Sequence, residues 1–138
     1  MMLFTEVRGL PVLPPDGAGA LGTVTSLTVD AVSWTVSHVR WRGSRFGGER
    51  ALPWEAVRTV GPGAVRVRSA AATEPAPAPH DLLGRRILTD TGTGRGTVLD
   101  VAFDTRTARL LALFTTRGEL PADRLMGLGD YALVVRAG

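Results

Sequence analysis

Residues 51–68 read ALPWEAVRTVGPGAVRVR, and residues 119–136 read ELPADRLMGLGDYALVVR. Leu52-Pro53 returns as Leu120-Pro121, Glu55 as Asp123 and Val57 as Leu125, all at an offset of 68. Gly61, Ala64, Val67 and Arg68 return as Gly129, Ala132, Val135 and Arg136 at the same offset. A repeat of this kind decides the architecture before any single element is assigned.

The repeat extends upstream. GTVTSLTVD (Gly22 to Asp30) matches GTVLDVAFD (Gly96 to Asp104) at an offset of 74, and Gly9 in VRGLPVL matches Gly84 in LLGRRIL at 75. The falling offset means shorter loops in the second copy. One residue is lost in the first turn, and six are lost between Trp41 and Leu52, where the first copy carries RGSRFGGERA. Losses in Gly-rich segments are what surface loops tolerate. Between the copies lies SAAATEPAPAPH, Ser69 to His80. Alternating Ala and Pro resists helix and sheet, because proline fixes φ and removes a backbone donor. An extended, semi-rigid spacer is expected there. The chain therefore divides into a first copy (1–69), an Ala/Pro-rich linker (70–79) and a second copy (80–138).

Composition narrows the function classes. Hydrophobic residues make up 44%, enough for a core, and there is no cysteine, so neither a disulfide framework nor a thiolate metal site can form. The opening MMLFTEVRG has no positive n-region and no apolar h-region, so no signal peptide is read. No apolar stretch approaches the ~20 residues of a membrane helix. A soluble, cytoplasmic protein is expected. All 16 basic residues are Arg, in an Ala/Gly-rich background that suggests a GC-rich genome. A net charge of +3 is too modest to argue nucleic-acid binding alone.

Within each copy the elements read as strands. TVTSLTV and AVRVR alternate apolar and polar residues, and β-branched side chains favour pleated, half-buried surfaces. Turn signals are dense: PPDGAG, RGSRFGGER, GPG and TGTGRG. The only helical turns expected follow each Leu-Pro, at WEAV and ADRL, where proline suits a first turn and an acid suits the dipole. Gly61 and Gly129 are assigned to the turn before the last strand, with Val65, Val67, Leu133 and Val135 facing inward. Short strands, regular turns and little helix predict an all-β protein of two tandem small barrels. A copy this small has a marginal core, so packing between the copies is expected to help.

Here the order of segments resembles the PRC-barrel family. That family includes the cytoplasmic domain of the photosynthetic reaction-centre H subunit and the C-terminal domain of a bacterial ribosome-maturation factor. The most specific piece is Leu52-Pro53-Trp54-Glu55-x-Val57, followed by Gly61 and Ala64-Val65-x-Val67. The second copy keeps Leu120-Pro121 and the last strand but carries Ala122 where the first has Trp54. The resemblance covers nearly the whole chain outside the linker, as two copies of a PRC-type barrel. It implies a docking or assembly domain, and it places Trp54 in the core as part of the closing motif.

No constellation nominates an enzyme, and no catalytic residue, metal or cofactor is assigned. TGTGRG opens a strand, not the helix a phosphate loop requires, and it aligns with the plain turn PDGAGALG. His38 and His80 stand alone, short of the three or four ligands of a zinc site. Asp30 and Asp104 end equivalent strands and read as Asx turn caps, expected to lie far apart. The most distinctive unrepeated stretch is SWTVSHVRWRGSRFGGER, against the bland RLLALFTTRG of the second copy. Its Trp34, His38, Arg40, Trp41, Arg42, Arg45 and Phe46 form the candidate partner-binding set, since aromatic residues and Arg dominate binding hot spots. The competing reading buries Trp34 and Trp41 in the core, with Arg stems over their edges.

The functional expectation is a non-enzymatic docking module that binds a protein partner or associates with itself. An RNA- or ribosome-assembly role and a peripheral membrane electron-transfer accessory are the alternatives, both by fold analogy.

Overall fold

The computed structural model describes residues 1–43, 48–68, 74–75 (backbone only) and 81–137. Arg45, Phe46, His80 and most of the 70–79 linker lie outside these residues. The first copy supplies β1 (Met2–Leu3), a single helical turn α1 (Phe4–Val7), β2 (Pro11–Leu13), β3 (Gly22–Asp30) and β4 (Thr35–Gly43). It continues with β5 (Glu49–Pro53), a 3-10 turn (Trp54–Ala56), β6 (Val57–Val60) and β7 (Val65–Val67). β8 (Glu74–Pro75) follows. The second copy supplies β9 (Arg86–Thr89), β10 (Gly94–Phe103), β11 (Leu110–Thr115) and β12 (Gly118–Pro121). A second 3-10 turn (Ala122–Arg124), β13 (Leu125–Leu128) and β14 (Leu133–Val135) complete it.

The fold is all-β, in two sheets of seven strands. One runs β6-β7-β2-β3-β4-β5-β8 and the other β12-β11-β10-β9-β14-β13, with β1 paired to β10. Strand for strand the copies match, including the parallel pairs β2 with β7 and β9 with β14 amid antiparallel neighbours. The repeated phrase is thus the 3-10 turn and the hairpin that follows it, and the chain folds that topology twice. Both 3-10 turns stand where Leu-Pro predicts them. Val65, Val67, Leu133 and Val135 are buried. The Gly61 and Gly129 N–H groups close equivalent turns onto Ala64 and Ala132 at 2.7 and 3.0 Å. Only Gly61 needs the left-handed region, at φ +62°.

A second repeated glycine is explained by close approach. A Cβ on Gly22 would lie 2.2 Å from the Arg42 carbonyl oxygen and 2.7 Å from Trp41 Cε3. A Cβ on its counterpart Gly96 would lie 2.1 Å from Thr116 Oγ1. The start of the long central hairpin leaves no room for a side chain in either copy.

Two elements depart from the sequence reading. Phe4–Val7 forms a helical turn, whereas the only helical turns expected follow each Leu-Pro. Phe4 and Val7, three apart, are both buried, and Glu6 Oε1 accepts the Leu3 N–H at 2.8 Å. Within the stretch read as an unpaired spacer, Glu74–Pro75 pairs with Arg50–Ala51 at the sheet edge, where a proline's missing donor costs nothing. The copies pack against each other, as their marginal cores lead one to expect. β1 crosses to pair with β10 of the second copy, Met2 opposite Phe103 and Leu3 opposite Ala102. The buried apolar residues of both copies form one continuous cluster.

The contact between copies is reciprocal at the tips of the β3–β4 and β10–β11 hairpins. The Val36 N–H donates to the Ala108 carbonyl at 2.9 Å, and the Leu110 N–H donates to the Trp34 carbonyl at 3.1 Å. With the repeat offset of 74 these are the same bond written twice, so an approximate two-fold axis runs through the paired tips. Trp34 and Ala108 occupy the same left-handed conformation, at φ +54° and +67°.

Candidate functional site

β4 carries most of the sequence-read binding set, and its register divides that set. Trp41, opposite Val24, packs in the core at 6% exposure. Its indole N–H has no acceptor among the described residues. Arg40, 9% exposed, is spent inside the molecule. Nη1 donates to Asp81 of the second copy at 3.1 Å and Nη2 to Glu49, whose other oxygen accepts from Thr25 Oγ1 at 2.6 Å. Neither side chain offers a partner free surface, because one faces the core and the other is clamped between carboxylates. Arg42 is exposed. Trp34 is half-buried beneath the paired tips, and His38 is half-buried with Nδ1 3.0 Å from Ser37 Oγ.

The Arg40 clamp is a link between copies, and its removal has a defined cost. Arg40→Met leaves Glu49, 23% exposed, without its guanidinium. An expected loss of about 1–3 kcal/mol follows, below the fully buried case because solvent reaches both acids. Urea unfolding measures it. Arg40→Met combined with Glu49→Gln is expected to recover most of the loss. A double variant no more stable than the single would refute the clamp.

Asp30 and Asp104 cap their own hairpin loops, as their Asx reading predicts. Asp30 Oδ1 accepts the Val32 and Ser33 N–H groups at 2.7 and 3.2 Å, and Asp104 Oδ1 those of Arg106 and Thr107 at 2.8 and 3.3 Å. The Arg106 N–H, then that of Thr107, hold the Asp104 carboxyl below the usual carboxylate value. The loops that Asp30 and Asp104 cap meet at the two-fold axis, where the hairpin tips exchange hydrogen bonds.

Around these tips, two clefts flank Trp54 and Glu55. The larger, about 590 Å³, runs from the first 3-10 turn along β6 to the second copy's hairpin tip. Arg58, Arg68 and Arg106 line it against a single acid, Glu55. All three arginines are exposed, and their guanidiniums make no hydrogen bond or ion pair among the described residues. The smaller, about 460 Å³, holds Asp30, Ser37, His38 and Thr107. Trp54 separates the two, half-buried, with its ring edge-on to Phe103 at 6.1 Å. It sits at the seam between copies, not deep inside the first.

The two-fold axis turns this arrangement into a comparison within one molecule. The positions equivalent to Arg58, Thr59, Trp54, Thr105 and Arg106 hold Met126, Gly127, Ala122, Ala31 and Val32. Met126 and Val32 are 49% and 92% exposed. Arg68 has a basic counterpart, Arg136, but that guanidinium donates to the Asp123 carbonyl. The cleft is cationic, whereas the equivalent positions replace two of its three arginines by the apolar Met126 and Val32. Sequence reasoning missed the cationic cleft because its arginines come from opposite copies. The departure of Arg58 and Trp54 from their repeat partners was the available signal.

No protein-family model matches the chain, and no curated protein matches it.

Proposed function

We propose that this chain is a non-enzymatic docking module built of two PRC-type barrels, which binds a protein partner at the seam between its copies. Chain connectivity supports the barrel reading. Residues 54–56 alone join β5, near one end of the strand order, to β6 at the other. Such a link spans roughly 14 Å at most, whereas six strands laid flat cover roughly 24 Å. A sheet so connected curls toward its own far edge, and the second copy repeats the connection between β12 and β13.

The observation that carries the docking reading is the divergence between the cationic cleft and the symmetry-equivalent surface. Cores and turns correspond between copies, so the framework has been kept. The surfaces beside the paired tips differ in charge and polarity, which the framework does not require. Trp34 and His38 stand beside this region on the first copy, Arg42 lies at the far end of β4, and Arg45 and Phe46 lie outside the described residues. The alternative RNA-associated reading draws on the same arginines. It predicts affinity that falls steeply with salt. No helix among the described residues is long and apolar enough to cross a membrane.

Affinity capture on the full chain, with and without nuclease, followed by reconstitution with the purified partner, tests the proposal. Nuclease-resistant recovery of a protein that binds again when pure is the expected result. Recovery abolished by nuclease would replace protein docking by RNA binding, and failure of reconstitution would remove direct docking.

A further inference from the structure

We infer that the cleft formed by Trp54, Glu55, Arg58, Thr59, Arg68 and Arg106 binds an extended, acidic segment of a protein partner. This rests on the docking reading and names the chemistry of its ligand. Three exposed guanidiniums against one carboxylate make the cleft an electropositive notch in a molecule whose net charge is only +3. Some arginines elsewhere are spent inside the molecule, Arg40 on Glu49 and Asp81, Arg85 on backbone carbonyls and Arg136 on Asp123, while others, such as Arg86 and Arg117, are exposed. Those of the cleft have no such partner among the described residues. The fold does not demand them either, since the equivalent site carries Met126 and Val32 in place of Arg58 and Arg106.

Three features select an acidic peptide over other anions. The cations are exposed and distributed along a cleft of about 590 Å³, so they suit several charges in a row better than one phosphate group. β6, which floors the cleft, is the last strand of its sheet, with no strand bonded to its outer side among the described residues. Such an edge offers backbone donors and acceptors to an extended chain. RNA binding without sequence preference relies on aromatic faces for successive bases. Among the described residues the only aromatic lining this cleft is Trp54, already engaged edge-on with Phe103. The guanidiniums provide steering and charge-assisted hydrogen bonds.

The test is fluorescence anisotropy on the full chain. The probe is a fluorescein-labelled peptide of alternating Glu and Gly, run beside an oligouridylate of matched charge. The expected result is peptide binding at low salt that weakens toward ~150 mM. Arg58→Gln with Arg106→Gln is expected to weaken it by about tenfold or more. The control pair Arg86→Gln with Arg117→Gln removes the same charge from exposed positions outside the cleft and is expected to change affinity by less than about twofold. Absence of peptide binding at low salt would overturn the assignment. So would equal weakening by the control pair, or tighter binding of the oligouridylate through the same two arginines. If the cleft variant still retains the partner bound by the unaltered chain, this assignment falls while the docking reading stands.

Discussion

Phe103→Ala lowers the free energy of unfolding by about 3–5 kcal/mol, the range for deleting a buried aromatic ring. Phe103 is fully buried at the end of β10, where β1 of the first copy pairs with it. The Phe4 ring stands edge-on at 5.5 Å and 77°, and the Trp54 ring at 6.1 Å and 81°. Both partners belong to the first copy, so truncation opens a cavity beneath two rings that join the halves. Edge-to-face pairs add about 0.5–1.5 kcal/mol beyond buried area. Because small domains are stable by only about 5–15 kcal/mol, this loss is a large part of the total. Urea unfolding followed by tryptophan fluorescence measures it. Two further results are expected: Phe103→Leu retains most of the stability, and the unaltered chain unfolds in one transition because its core is continuous. A loss below about 1 kcal/mol for Phe103→Ala would show that the aromatic seam does not hold the copies together.

Gly22→Ala is expected to cost about 3 kcal/mol, the upper end of the usual range for overpacking. The new methyl meets the backbone carbonyl of Arg42 and the edge of the Trp41 ring, and neither is the free end of a flexible side chain. Strand β4 would have to move away from β3, disturbing the Val24–Trp41 pair that floors the first core. Gly48→Ala is the control, since a Cβ there meets nothing within 4 Å. Thermal unfolding with near-ultraviolet dichroism reads both effects. Melting temperatures lowered equally in the two variants would remove close approach as the reason for this glycine.

Much of the architecture is legible without coordinates, and each legible part depends on neighbours in sequence. The Leu-Pro turns, the Asx loops at Asp30 and Asp104, and the inward placement of Val65, Val67, Leu133 and Val135 follow from local backbone preference and alternation. The repeat shows that whatever one copy does, the other does too. The helical turn at Phe4–Val7 was not legible, because four residues leave too short a periodic signal. Its burial comes from β10, about a hundred residues away.

The binding set was legible in type but not in place. Aromatic and Arg residues in SWTVSHVRWRG do mark an unusual strand, yet one residue of register separates Trp41 in the core from Arg42 in solvent. Only the sheet sets that register. Only the tertiary structure brings Asp81 to Arg40, or Arg106 to Arg58 and Arg68. What the sequence determined by itself was a duplicated β framework, through propensities and alternation that act over a few residues. The tertiary structure decided how the halves join and where free charge collects. Both arise from contacts between residues far apart in the chain, for which no local pattern exists.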